Sequence, residues 1–145
     1  MALAAATAGI HIQSQIIWKK NAIVLGQADY QWKHENCWYG YLKGNKHNWY
    51  GGRAQSTVWD INKDGNQTYK HPHQKPVALF EIPINNHTHI SQIVAEPFAG
   101  SGTQFIACEK LGRRCSGMEI EPHYCDIIIQ RWENYTGKQA VKLNG

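Results

Sequence analysis

"QIVAEPFAGSGTQFIACEKLGRRCSGMEIEPHYCDIIIQRWENYTG", residues 92–137, switches repeatedly between two periodicities. Gln92 to Phe98 is a short apolar strand, and Gly102 to Gly112 is a helix stopped by its terminal glycine. Arg113 to Ile120 reads as a second strand. Pro122 to Gly137 is a helix with proline at its start and glycine at its end. Strand, glycine turn, helix, strand, helix predicts a βαβα unit whose two strands run parallel.

The turn itself carries chemistry. Where a parallel strand feeds a helix, the first backbone N–H groups have no partner within the helix. Gly100 and Gly102, around Ser101, let a ligand approach the main chain closely, at the carboxyl end of a strand where open α/β sheets bind ligands. No Gly-Lys-Ser/Thr follows, so this is not a phosphate loop, and the spacing is not GxGxxG. Glu96 before the turn would face an ammonium or another donor. Glu119, at the end of the next strand, is placed to take both hydroxyls of a ribose. A ligand with a ribose, a cationic amino-acid tail and no phosphates matches S-adenosylmethionine. The bland alternative is an ordinary turn beside a solvated acid.

Outward from this unit, Lys75-Pro76 starts a helix with Val77, Leu79, Phe80 and Ile84 inward, weakened from Pro83 onward. Residues 12–18 and 34–42 are strand-like. From Asn45 to Lys70 the chain reads as irregular and exposed, with a strand-like island at residues 56–61. Tyr30, Trp32 and Trp38 are expected to fill a core, and Lys19, Lys20, Arg113 and Arg114 to lie on the surface. Met1 to Ile10 is read as a leader into the first strand. It is too short to span a bilayer and lacks a positive leading segment.

At 145 residues, 42% apolar and 18% charged, the chain suits one folded domain rather than wholesale disorder. A net charge of +4 is compatible with a polyanionic partner without requiring one. Cys37, Cys108, Cys115 and Cys125 form no CxxC pair and read as reduced thiols, with a cytoplasmic location expected. His71 with His73, and His87 with His89, complete no familiar ligand set, so no metal is expected.

"EPFAGSGT" (residues 96–103) resembles the cofactor-binding motif of amino-group DNA methyltransferases, usually Asp-Pro-Phe-x-Gly-Ser-Gly-Thr. "HPHQKP" (71–76) resembles the His-Pro-Thr-Gln-Lys-Pro element that precedes it in the permuted order of that family. "RRCSGMEIEPHYCDIIIQRWENYTG" (113–137) resembles the following strand and helix, and "QIIWKKNAIVLGQADYQWKHENCWYG" (15–40) the stretch before the recognition segment. The likeness covers nearly all of the chain after residue 12.

It implies an α/β, Rossmann-like S-adenosylmethionine-dependent methyltransferase fold with an incomplete sheet. A single domain, 1–145, would comprise a strand pair (12–43), a target-recognition segment (44–70) and a cofactor-binding part (71–137). Glu96, where aspartate is usual, would contact the methionine amino group, followed by Pro97. Phe98, Ala99, Gly100, Ser101, Gly102 and Thr103 would cradle the cofactor. Glu119 would hold the ribose beside Ile120, and Gln74, Lys75 and Pro76 would close over the methionine end. Lys46, His47, Arg53 and Lys63 would contact double-stranded DNA. The implied reaction is site-specific methyl transfer to an exocyclic base amine, adenine N6 ahead of cytosine N4. Restriction-modification, phage or prophage is the implied context.

One part of the family pattern is missing. The transfer occurs at an Asp-Pro-Pro-Tyr type tetrapeptide, whose polar groups accept hydrogen bonds from the amine while its ring stacks on the flipped base. The five prolines here, Pro72, Pro76, Pro83, Pro97 and Pro122, include no adjacent pair. No catalytic residue is assigned. The chain therefore resembles the carboxyl-terminal part of such an enzyme, completed by a second chain or surviving as a DNA- or cofactor-binding remnant. The edge of the cofactor strand is expected to be open to pairing.

Overall fold

The alanine-rich start does not lead straight into a strand. Ala2–Thr7 forms a short helix, α1, consistent with the high helix propensity of alanine. The computed structural model describes residues 2–45, 47–62 and 74–143, in two units, Met1–Gly65 and Asn66–Gly145.

In the first unit, β1 (Ile10–Val24) pairs antiparallel with β2 (Trp32–Leu42) and parallel with the short β3 (Val58–Asp60), in the order β2-β1-β3. Both long strands outrun the predicted segments. Alternation holds along β1 through Ile16, Trp18 and Lys20, with register shifts between Ile12 and Ser14 and between Lys19 and Val24. Trp18 is completely buried, and its indole N–H donates to the Ile61 carbonyl at 2.8 Å, holding the chain just past β3. Lys20 sits on the same face and is also buried, against the expectation of a surface charge. Its ammonium is 2.9 Å from Glu35 and 5.8 Å from the Trp18 ring centroid, the partners a buried charge requires. Tyr30, Trp32 and Trp38 depart the other way. All three are exposed, Tyr30 by 92%, so they fill no core.

In the second unit, Pro76 is buried at the N-cap of α2 (Val77–His87). This helix continues through Pro83 rather than fading there. A mid-helix proline costs about 3 kcal/mol. Leu79 and Ile84 are nevertheless buried, Ile84 packing with Ala107 and Cys108, and the Thr88 N–H and hydroxyl both return to the Ile84 carbonyl. Strand β4 (Ile93–Glu96) then feeds α3 (Thr103–Lys110), β5 (Arg114–Gly117) and α4 (Pro122–Thr136). β4 and β5 pair in parallel, Ile93 with Arg114 through Glu96 with Gly117, as the sequence predicts. Val77, Phe80, Val94, Leu111 and Cys115 pack around the Ile84–Ala107–Cys108 core. Ile93 and Ala95 point to the opposite face of the pair and are exposed, unusual for parallel strands.

Arg113 also departs from a surface role. Its guanidinium donates to the Thr88 carbonyl at 2.8 Å and the Leu111 carbonyl at 2.6 Å, tying the ends of α2 and α3 together. The four cysteines are free thiols. Cys115 shares a hydrogen bond with Cys108 in the core, and with burial this holds its thiol well above the usual range. No helix among the described residues is long and apolar enough to cross a membrane.

Candidate functional site

The turn between β4 and α3 is shaped by two residues in the left-handed region, Gly100 (φ 54°) and Gly102 (φ 75°). A β-carbon on Gly102 would lie 2.8 Å from Ile128 Cγ1, so glycine here also permits the close approach of α4. A β-carbon on Gly100 would meet nothing within 4 Å; the other bend of the turn borders open space. Ala99, Ser101 and Thr103 are buried beneath it, whereas Phe98 is 85% exposed at its entrance. Main-chain bonds fix the bend, from the Ala99 N–H to the Met118 carbonyl (2.9 Å) and from the Gly102 N–H to the Ala99 carbonyl (2.8 Å).

Both predicted acids converge on this turn. Glu119, beyond the end of β5, accepts the Gly100 N–H at 2.7 Å with one oxygen and the Glu121 N–H at 3.0 Å with the other. Glu96, the last residue of β4, accepts the Phe98 N–H at 2.8 Å and the Gln104 amide at 2.6 Å. The extra methylene of glutamate, relative to the family's usual aspartate, lets Glu96 fold back onto its own turn, with Gln104 holding the far oxygen. Each Glu96 oxygen can accept a second hydrogen bond. Ile120, next to Glu119, is 98% exposed, so the apolar Phe98 and Ile120 both flank the acids.

The 74–76 segment reaches the same turn through Thr103, whose hydroxyl donates to the Lys75 carbonyl at 3.3 Å. Gln74 is buried, and its side-chain oxygen has no hydrogen-bond partner among the described residues. Such an orphaned acceptor is costly unless a ligand or water meets it. Two residues given no role in the sequence reading complete the surroundings. Gln104 orients Glu96, and Arg131 of α4 reaches the far side of the turn, donating to the Ser101 carbonyl and, at 3.1 Å, to its hydroxyl. Burial lowers the proton affinity of the Arg131 guanidinium, which nonetheless stays charged. The sequence carried a signal for Arg131: it lies one helical turn after buried Ile127, hence on the inward face.

The DNA-contact candidates belong to the first unit. Lys46 and Lys63 lie outside the described residues, as do His71 and His73. Arg53 is exposed, and the exposed His47 stacks on Tyr41 with ring centroids 4.6 Å apart. No group of three or more metal-ligating side chains gathers among the described residues.

A parallel βαβ pair with a glycine turn and a carboxylate from each strand end defines a nucleoside-binding class of α/β protein. The DNA methylase family model matches residues 1–130, and the chain belongs to that family of amino-group (N6/N4) DNA methyltransferases. The type II methyltransferase M2.DpnII of Streptococcus pneumoniae is 41% identical over 85 residues, covering 57% of this chain and 32% of that protein. M.Cfr9I of Citrobacter freundii is 28% identical over 137 residues, covering 85% of this chain and 45% of that one. This chain thus spans less than half the length of either relative. Among solved structures, the M1.HpyAVI–SAM complex superposes with a TM-score of 0.75 at 28% identity, covering 90% of this chain and 66% of that one. The cytosine-N4-specific PvuII DNA methyltransferase shares the fold, with a TM-score of 0.71 at 17% identity, over 90% and 54% of the two chains. The fold is the Rossmann-like methyltransferase fold, with a partial sheet.

Proposed function

We propose that the second unit holds S-adenosylmethionine, and that the chain is the cofactor-binding part of an enzyme methylating an exocyclic amine in double-stranded DNA. One observation carries this reading: carboxylates from the ends of two adjacent parallel strands meet at one glycine turn, through Glu119 to Gly100 and Glu96 to Phe98. The residues fit the cofactor. Gly100 borders open space, Gln74 offers a spare buried acceptor, and Phe98 and Ile120 offer apolar faces for a base. Glu119 would hold the ribose and Glu96 the methionine ammonium, while Phe98 to Thr103 and Gln74 to Pro76 would enclose the remainder. When bound, the cofactor supplies a methyl group on a sulfonium. Adenine N6 is the proposed acceptor, on the resemblance.

In this reading residues 12–43 are a strand pair, 44–70 the target-recognition segment and 71–137 the cofactor part, with His47 and Arg53 among the DNA contacts. The lack of any Pro-Pro pair, together with the exposed Ile93 and Ala95 on one face of the β4–β5 pair, supports a second component of the reading. The catalytic tetrapeptide and the layer that covers this face come from elsewhere, and the chain by itself transfers no methyl group.

Isothermal calorimetry with S-adenosylmethionine tests the cradle. The unmodified chain should bind weakly, and Glu119→Ala should lose about tenfold or more, the usual consequence of removing a charged hydrogen-bond partner. Equal heats from the two chains would end the assignment. Steady transfer of labelled methyl to duplex DNA by the purified chain would end the two-component reading alone.

A further inference from the structure

We infer that Arg131 is a positioning residue that locks the two cofactor-facing segments, the glycine turn and residues 74–76, into one arrangement. This rests on the cofactor reading above. On α4, Ile127 is buried and Ile128 abuts Gly102, so the inward face of the helix is pressed against the turn. Arg131 continues that face. Its terminal nitrogen Nη1 serves three acceptors: the Ser101 carbonyl, the Ser101 hydroxyl at 3.1 Å and the Thr103 hydroxyl at 3.4 Å. The Thr103 hydroxyl donates onward to the Lys75 carbonyl. One guanidinium therefore reaches both segments through a continuous set of hydrogen bonds.

The placement is not one that helix stability would select. A cation at the N-terminal end of α3 opposes the helix dipole, and burial of the guanidinium adds a desolvation cost. What the contact supplies is orientation. With its carbonyl held by Arg131 and its N–H by the Ala99 carbonyl, the Ser101–Gly102 peptide is pinned on both sides. Gly100 and Gly102 supply the permissive backbone; Arg131 adds a side-chain constraint to the main-chain bonds that shape it. This division of labour lets a turn rich in glycine hold one arrangement.

The test compares the full chain with Arg131→Met and Arg131→Lys. Methionine keeps an apolar stem and removes every donor. Two quantities are read: amide hydrogen exchange at Gly100 and Gly102 by NMR in the free chain, and S-adenosylmethionine affinity by calorimetry. The methionine variant should exchange faster at both glycines and bind about tenfold more weakly, with lysine intermediate in each. A methionine variant with the exchange rates of the parent overturns the inference. Should that variant fail to fold by circular dichroism, a lysine variant indistinguishable from the parent in both readouts overturns it instead. If the parent binds no S-adenosylmethionine, the cofactor reading fails, and glycine exchange alone decides the role of Arg131.

Discussion

The two units reach order by different means. In the first, burial is concentrated on one strand face, where Trp18 and the paired Lys20 are enclosed while Tyr30, Trp32, Trp38 and Trp49 stay exposed. In the second, burial is spread over small contributions from Leu79, Ile84, Ala99, Ile106, Ala107, Cys108 and Ile127, and the turn is fixed by main-chain and carboxylate hydrogen bonds. One large anchor makes a unit vulnerable at a point. A distributed core makes it vulnerable chiefly where geometry has no tolerance.

Trp18→Ala should be the most damaging single change. It empties a completely buried site and removes the bond to Ile61, at a cost of about 3–5 kcal/mol. Hydrogen exchange resolved by residue should show β1 and β2 losing protection while β4 and β5 keep theirs. Loss of protection in both pairs would mean that the contrast between the units is false. Gly102→Ala comes next. The new methyl would collide with Ile128 and force alanine to a φ of 75°, at a cost of roughly 2–3 kcal/mol in denaturant unfolding of the second unit. A loss below about 0.5 kcal/mol would show that the turn tolerates movement after all.

The smallest effect concerns Glu109, whose carboxyl is held below its usual range by hydrogen bonds from Lys138 and Trp132. A depressed folded-state pKa gives stability that is present above the unfolded value of about 4.5 and disappears as the pH falls through the lowered value. The pair is partly exposed, so Glu109→Gln should cost less than about 1 kcal/mol at neutral pH and make the second unit less sensitive to acid. Matched unfolding curves above and below pH 4.5 measure this, and an unchanged acid response in the variant would exclude the contribution.

The βαβα unit was legible because its signals are local. Apolar runs, Gly112, Pro122 and Gly137 punctuate it, and the parallel pairing follows from the crossover. Convergence of Glu96 and Glu119 on one turn could be anticipated because both end strands of a known hand. What escaped depends on partners far along the chain. The burial of Lys20 needs Glu35, and the stapling by Arg113 needs Thr88. Passage of α2 through Pro83 depends on Ile84 meeting Ala107 and Cys108. Arg131 was given no role, although it continues the inward face of α4, because its acceptors on Ser101 and Thr103 lie far back along the chain.

The two parallel registers differ in how much chain each must bring together. Joining β1 to β3 closes roughly twice the length that joining β4 to β5 does, and each doubling of a loop adds about 0.6 kcal/mol of closure entropy. Pairing over short separations also tends to be quick. On loop closure alone, pairing of β4 with β5 is thus favoured over direct pairing of β1 with β3 by about 0.6 kcal/mol.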